Sequence, residues 1–336
     1  MEIKEAISHI VDREDLSRAD MEAVMRQIMT GGATPIQIGG FLAGLRAKGE
    51  TVEEITAAAT VMRELAVHVE VSPEHLVDTC GTGGDGARLF NVSTAAALVA
   101  AAAGGRVAKH GNRAMSGNTG SADVLEALGV QLDLPPEHIA RCVDQVGVGF
   151  LYAPAHHSAT RYAAAPRKEL GTRTLFNLLG PLTNPAGAPH QLLGVFAPRW
   201  VEPLAKVLRA LGSRHVLVVH SEDGLDEISV AAPTRVAELQ GEQIRSYAVR
   251  PGDFGIAHAS LDELRVTSVQ ESLALIRDAL SGKAGPAFDM VALNAGAALY
   301  AADVAASLAA GVARAREVMA NGAAAAKLTQ LAEASR

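Results

Sequence analysis

The chain has only two cysteines in 336 residues, Cys80 and Cys142, far apart and without metal-ligand spacing. Their scarcity argues against a disulfide framework or a thiolate zinc site and leaves both as small buried hydrophobes. Aromatic residues are also scarce, 4% against 49% hydrophobic, so the apolar content is rich in alanine, which favours close-packed helices. No apolar run free of charge or glycine reaches the roughly 18 residues that a membrane span requires. The opening MEIKEAISHIVDRED holds acidic side chains and no long apolar core. It does not read as a secretory signal, and a cytoplasmic protein is expected. Nor is there an excess of positive charge: the formal net charge of −7 argues against general nucleic-acid affinity. Internal repeats and low-complexity linkers are absent as well.

The length exceeds that of a typical single core and predicts two domains or one elaborated α/β domain. Before Leu76 the pattern predicts four short helices and no strand. Ile3, Ala6, Ile7, Ile10 and Val11 form one apolar face, and Ser17 is an N-cap before Met21, Val24, Met25 and Ile28. Gly31-Gly32 stops that helix, Thr34-Pro35 opens the one from Ile36 to Ala47, and Thr51 with Glu54 is a capping box for the next. From Leu76 onward short β-branched runs alternate with helical stretches, the pattern of a mostly parallel sheet. Val146 to Leu151, Leu192 to Phe196 and Val216 to Val219 are predicted strands, and Val304 to Ala334 is helical with Gly311 and Gly322 as breaks.

The most informative stretch runs from Asp78 to Ser121. Leu76, Val77 and Asp78 lead into Gly81-Thr82-Gly83-Gly84-Asp85-Gly86, where four glycines in six positions allow positive φ and close approach of the backbone to a ligand. Asn91, Val92, Ser93 and Thr94 then place cap-type residues before the apolar run Ala95 to Ala103, so a helix N-terminus lies beside the glycine loop, where a phosphate sits well. A second strand, Arg106-Val107-Ala108, ends in Lys109-His110-Gly111-Asn112-Arg113. Either loop alone reads as a tight turn. Two polar, glycine-containing loops on neighbouring strand ends, one with Lys109 and Arg113, describe a wide anionic site.

These residues carry a resemblance. DTCGTGGDG, FNVSTA, VAKHGNR and GSADVLEALGV, then RKELGTRTLFNLLGPLTNP at Arg167 to Pro185, GLDEIS at Gly224 to Ser229 and NAGAALY at Asn294 to Tyr300, closely resemble the anthranilate phosphoribosyltransferase family over nearly the whole chain. The resemblance implies an α/β protein of the nucleoside phosphorylase/phosphoribosyltransferase type. A small all-helical domain, 1–72 with a returning segment near 160–188, joins a larger α/β domain, 73–336, with a mostly parallel central sheet. It implies a homodimer formed through the helical domain, and a place in tryptophan biosynthesis. The implied reaction is magnesium-dependent transfer of phosphoribose from 5-phosphoribosyl 1-diphosphate to the amine of anthranilate, with inversion at the anomeric carbon and release of diphosphate. Gly180-Pro181 and Asn184-Pro185 punctuate the return to the sheet and are expected to form a hinge.

Residue by residue, the resemblance assigns the diphosphate substrate to Gly81, Gly84, Asp85, Leu89, Asn91, Val92, Ser93, Thr94, Lys109, His110, Gly111, Asn112, Arg113, Ala114, Met115, Ser116, Gly117 and Ser121. It assigns anthranilate to Gly81, Asn112 and Arg167, and magnesium to Ser93, Asp226 and Glu227. The chemistry is consistent with each group. Magnesium wants hard oxygen ligands and keeps several waters, and a guanidinium fork suits a carboxylate better than an ammonium does. His110 and His157 lie in matched segments, but an aromatic amine is already an uncharged nucleophile near pH 7. No essential general base is therefore expected, and positioning with leaving-group stabilisation carries the rate.

Some positions depart from the family. Leu89 stands where serine or threonine is usual, Ala114 and Gly117 where serine is frequent, and Ser158 where proline is common. A contact from Leu89 would therefore come from its backbone, with Arg88 beside it as a further cation. Two other readings share this fold. A pyrimidine nucleoside phosphorylase would carry an extra C-terminal domain and would have less use for Asp226-Glu227. A nucleic-acid-binding relative would show a basic groove and a damaged diphosphate motif.

Overall fold

The computed structural model describes residues 1–114 and 119–336. Four helices open the chain: α1 (Ile3–Val11), α2 (Arg18–Met29), α3 (Pro35–Lys48) and α4 (Val52–Glu64). Their starts follow the expected chemistry. Ser17 Oγ accepts from the Asp20 amide, and Thr34 with Gln37 and Thr51 with Glu54 form reciprocal capping boxes. Ile3, Ala6 and Ile10 of α1 are buried, whereas Val11, assigned by its spacing to the same face, is 69% exposed. It is the last residue of the helix, and the chain re-enters the bundle core only at Leu16.

Seven strands form one sheet in the order β3-β2-β1-β4-β5-β6-β7. β1 (Leu76–Gly81), β2 (Arg106–Gly111), β3 (Val148–Tyr152), β4 (His190–Gly194) and β5 (His215–Ser221) are parallel. β6 (Thr234–Gln240) and β7 (Gln243–Val249) add an antiparallel hairpin beyond the expected strands, turning at Gly241. Two of the strand boundaries that shift by two residues do so for local reasons. Val146 closes the helix Pro136–Val146, whose left-handed cap at Gly147 must be passed before β3 begins. Phe196 falls outside β4 because the strand stops at Gly194, where another segment lies against it.

Alternation along β4 and β5 separates two cores. Leu192, Leu217 and Val219 face helix α5 (Val92–Ala102) and the helix Pro286–Ala301, while Leu193, Val216 and Val218 share one apolar cluster with α1 to α4. One sheet face is thus continuous with the interior of the helical bundle. Between β3 and β4 the chain leaves the sheet, packs the helix Arg161–Leu170 against α3 and α2, and returns past α4 through the short helix Phe176–Leu179. Two crossings therefore bound the cleft between the helical and α/β parts. Asn184, expected to be part of a hinge, is pinned: its buried Nδ2 donates to Asp78 Oδ2 and to the Ala108 carbonyl, each at 2.8 Å.

Candidate active site at the carboxyl edge of the sheet

The strand order turns back at β1, which is flanked by β2 on one side and β4 on the other, and register places Gly81 directly beside Gly194. Ligands of open α/β sheets bind at such a switch point, outside the carboxyl ends of the strands. Here the missing side chains are a steric requirement. A Cβ on Gly194 would lie 1.5 Å from the Asp226 carbonyl oxygen, and one on Gly81 would lie 2.4 Å from Asp226 Oδ2. The acidic turn after β5 is therefore seated on the ends of β1 and β4, which brings Asp226-Glu227 to the glycine loop although 140 or so residues of chain separate them. Gly83 N donates to Asp226 Oδ2 at 2.8 Å.

The loop itself is an open anion seat. Gly83, Gly84 and Gly86 have φ of 63°, 75° and 79°. Among the described residues the amides of Gly84, Asp85 and Gly86 make no hydrogen bond. Successive free N–H groups in such a turn form a concavity suited to phosphate oxygens. The neighbouring helix start is less open than its sequence suggests. Asn91 occupies the N-cap position but makes no capping bond; its Oδ1 accepts from Thr119 Oγ1 at 2.9 Å and Ser272 Oγ at 2.8 Å. The Val92 amide turns to the Phe90 carbonyl and the Ser93 amide to the Glu227 carboxylate. Thr94 Oγ1 is buried without a partner among the described residues, a group that a ligand's polar atom would satisfy.

Lys109 lies 3% exposed beneath these groups, its Nζ donating to the Thr79 carbonyl and to Ser93 Oγ at 3.2 Å. Burial lowers its pKa, while Asp78, Cys80 and Glu227 support its charge. Asp226 and Glu227 are pushed up from the carboxylate range, first by burial and then by like charge, from Asp85 on Asp226 and from Asp226 on Glu227. Two crowded carboxylates beside the Ser93 hydroxyl are a hard-oxygen set that a divalent cation would relieve. Among the described residues no three His, Cys, Asp or Glu side chains form a ready cage. The fit to magnesium rests on the hard oxygens of Asp226, Glu227 and Ser93, since that ion prefers such donors, retains waters and takes substrate phosphate oxygens.

The second loop is organised by Asp78 and Asp123, to which the sequence assigned no role, together with the expected Ser121. Asp78, buried at the start of the motif, accepts the His110 amide at 3.1 Å. Asp123 Oδ2 accepts the amides of Ala114 and Gly120 at 3.0 and 2.9 Å. Ser121 Oγ reaches the Asn112 carbonyl at 3.3 Å and lies where a Cβ on Gly111 would be, at 2.2 Å. Arg113, expected with Lys109 to serve the anionic site, is engaged within the protein: its guanidinium pairs with Glu126 at 2.8 and 2.9 Å and Asp123 at 3.0 Å. Asn112 and Ala114 are exposed, and Met115, Ser116 and Gly117 lie outside the described residues. Leu89 packs its side chain into the core below the first loop, and its backbone bridges Arg265, so the missing hydroxyl leaves an anchored loop. Arg88 is exposed at φ 55°.

On the segment that returns from the helical part, Arg167 stacks over Phe176 at 4.9 Å and has no hydrogen bond or carboxylate partner among the described residues. Burial lowers its pKa, so its charge is poorly solvated and suited to an incoming carboxylate. His110 and His157 lie with ring centroids 5.2 Å apart, each with an unpartnered buried Nε2. Burial and the charge of neighbouring His157 hold His110 well below the usual histidine range, and burial with His156 brings His157 to about 4. Both are neutral at pH 7.

Residues 73–325 match the glycosyl transferase family α/β domain, and residues 4–66 match that family's helical bundle domain. The chain is 63% identical over 331 residues to the anthranilate phosphoribosyltransferase of Thioalkalivibrio sulfidiphilus, covering 98% of each chain. It is 60% identical to that of Methylococcus capsulatus, covering 100% of this chain and 98% of the relative. The crystal structure of anthranilate phosphoribosyltransferase from Thermus thermophilus superposes with a TM-score of 0.93 at 47% identity, covering 98% of this chain and 99% of that one. The Saccharomyces cerevisiae enzyme in complex with PRPP and Mg gives 0.89 at 25% identity, covering 99% and 97%.

The raised carboxyls set a pH dependence. The unfolded chain ionises Asp226 at the ordinary value while the folded one retains the proton, so the metal-free fold loses stability as pH rises above that value. Asp226→Asn removes this penalty. In metal-free buffer the variant should melt above the parent at pH 8, with the gap closing toward pH 5; an equal or lower melting temperature at pH 8 contradicts the assignment.

Proposed function

The chain belongs to the anthranilate phosphoribosyltransferase family, and we propose how its own residues carry the reaction of that family. It transfers the phosphoribosyl group of 5-phosphoribosyl 1-diphosphate to the amine of anthranilate, giving N-(5-phosphoribosyl)anthranilate and diphosphate in tryptophan biosynthesis, with magnesium. The observation that carries the reading of the site is the acidic turn seated at the strand switch point and bonded to the Gly83 amide, next to three loop amides that are unbonded among the described residues.

In this reading Gly84, Asp85 and Gly86 orient phosphate oxygens through their amides, with Lys109 and Ser93 at their base. Gly81, Leu89, Asn91 to Thr94, His110 to Ala114 and Ser121 line the rest of the diphosphate seat, largely through backbone and small polar groups. Asp226, Glu227 and Ser93 would hold magnesium, which would supply positive charge to the diphosphate leaving group. Arg167 takes the anthranilate carboxylate, with Asn112 and the open backbone at Gly81 completing that wall. The C1–O bond breaks with its electron pair on diphosphate, the amine nitrogen forms the C1–N bond from the opposite side, and the nitrogen then releases one proton. The neutral, deeply buried imidazoles of His110 and His157 hold a proton poorly, which supports a rate carried by positioning and leaving-group stabilisation. The lobes are the helical domain of 1–72 with its returning segment near 160–188, and the α/β domain of 73–336. The reaction is placed in the cytoplasm, where two unpaired thiols, Cys80 and Cys142, remain reduced.

Anthranilate fluorescence should decay on addition of 5-phosphoribosyl 1-diphosphate only when magnesium is present. Arg167→Ala should raise KM for anthranilate about tenfold or more, the worth of a charge-assisted contact. His110→Ala and His157→Ala should retain turnover if folded; abolished turnover in either folded variant overturns the absence of a base.

The same reading includes a homodimer. α3 exposes Ile36, at 88%, with Gly40, Ala43 and Ala47 along one stripe, near the end of α1 where Val11 is open. Small residues with two exposed aliphatic side chains suit close helix contact with a second copy. Sedimentation should show a dimer that Ile36→Glu converts to monomer; a monomeric parent, or a variant that stays dimeric, excludes this face.

A further inference from the structure

A loop that turns several amides toward one anion turns carbonyls the other way, and these need donors of their own. For the glycine loop the donor comes from across the cleft. The Arg173 guanidinium donates through Nη2 to the Gly84 carbonyl and stacks over the Phe196 ring at 4.3 Å. Phe196 is fixed in turn, its amide donating to Thr82 Oγ1 at 2.9 Å. Arg173 is exposed and has no carboxylate partner among the described residues, so neither burial nor an ion pair explains this placement. Its own backbone is tied to the helical bundle, because Arg46 of α3 donates to the Arg173 carbonyl and to Thr172 Oγ1. Arg167 lies six residues upstream on the helix Arg161–Leu170, whose cap at Gly171 takes φ 58° and turns the chain toward the loop.

We propose that Arg173 is a positioning residue that lets the acceptor wall hold the glycine loop in its anion-binding form, coupling the two substrates. The inference rests on the proposed function, with anthranilate at Arg167 and diphosphate at the loop. With Gly84's carbonyl held by Arg173, the amides of Gly84, Asp85 and Gly86 remain pointed at the seat, and a cation stands behind the loop. Ordering of Arg167 by the acceptor orders the segment that carries Arg173. Each substrate then tightens the other by the same factor, as linkage requires. Arg173 touches no reacting atom, and its effect falls on affinity for the diphosphate substrate.

The test uses the full chain with magnesium. Turnover by the parent is measured first, since its absence would overturn the functional reading itself. Affinity for 5-phosphoribosyl 1-diphosphate is then measured by calorimetry with and without anthranilate, in the parent, Arg173→Ala and Arg173→Lys. The parent should bind the diphosphate substrate more tightly with anthranilate present. Arg173→Ala should raise KM for that substrate about tenfold, the scale of a charged hydrogen bond, and lose the tightening. Arg173→Lys, which keeps a donor but not the flat stack, should fall between, with melting temperatures unchanged because the side chain is exposed. An active parent without tightening, an Arg173→Ala protein that retains it, or weakened binding of each substrate on its own together with a lowered melting temperature overturns the inference.

Discussion

Two carboxylates buried side by side at the ends of parallel strands are held against their mutual repulsion, and the rest of the site depends on that placement. Asp226 rests on Gly81 and Gly194, where any side chain would displace it, and accepts the Gly83 amide, while Glu227 beside it has Lys109 and the Ser93 amide as its protein partners. The arrangement costs stability in the metal-free protein and is resolved when a cation and a polyanion arrive together. A site charged this way discriminates for a metal-bound diphosphate over a free monovalent anion. The first glycine loop needs only free amides, because charge is supplied from the strand ends beneath it.

The second consequence concerns the facing wall. The helical bundle shares its interior with one sheet face, through Leu193, Val216 and Val218, so the two lobes meet on a packed core. The segment between β3 and β4 crosses that junction twice, carrying Arg167 and Arg173 out to the cleft. Its return is pinned by the buried pair Asn184 and Asp78. The exposed outer turn is held in its own way, by Arg46 on Thr172 and the Arg173 carbonyl and by Arg173 on the Gly84 carbonyl.

Much of this was legible in the chain. Strand ends carrying GTGGDG and KHGNR, helix caps such as Ser17 and Thr51, and the parallel alternation have local physical signatures. Asp226-Glu227 reads alone as a solvated pair and acquires meaning only from Gly81 and Gly194, which are remote in sequence. Asp78, Asp123 and Arg173 escaped attention because they bind the protein's own backbone, and no spacing rule marks a donor for a carbonyl that the fold has yet to turn outward. Arg113 illustrates the converse: a cation in the right motif is claimed by Glu126, one helical turn beyond Asp123, and contributes anchoring to the loop. Leu89 keeps its place through its backbone, which a comparison of side chains overlooks.

The most direct measurement is calorimetric binding of 5-phosphoribosyl 1-diphosphate, with and without magnesium, to the parent and to Gly194→Ala, each checked for native circular dichroism. An added Cβ must move the Asp226 carbonyl that lies 1.5 Å from it, and with it the acidic turn. The account predicts that magnesium strengthens binding in the parent and has little effect in the folded variant. Undiminished magnesium-dependent binding by folded Gly194→Ala would contradict it.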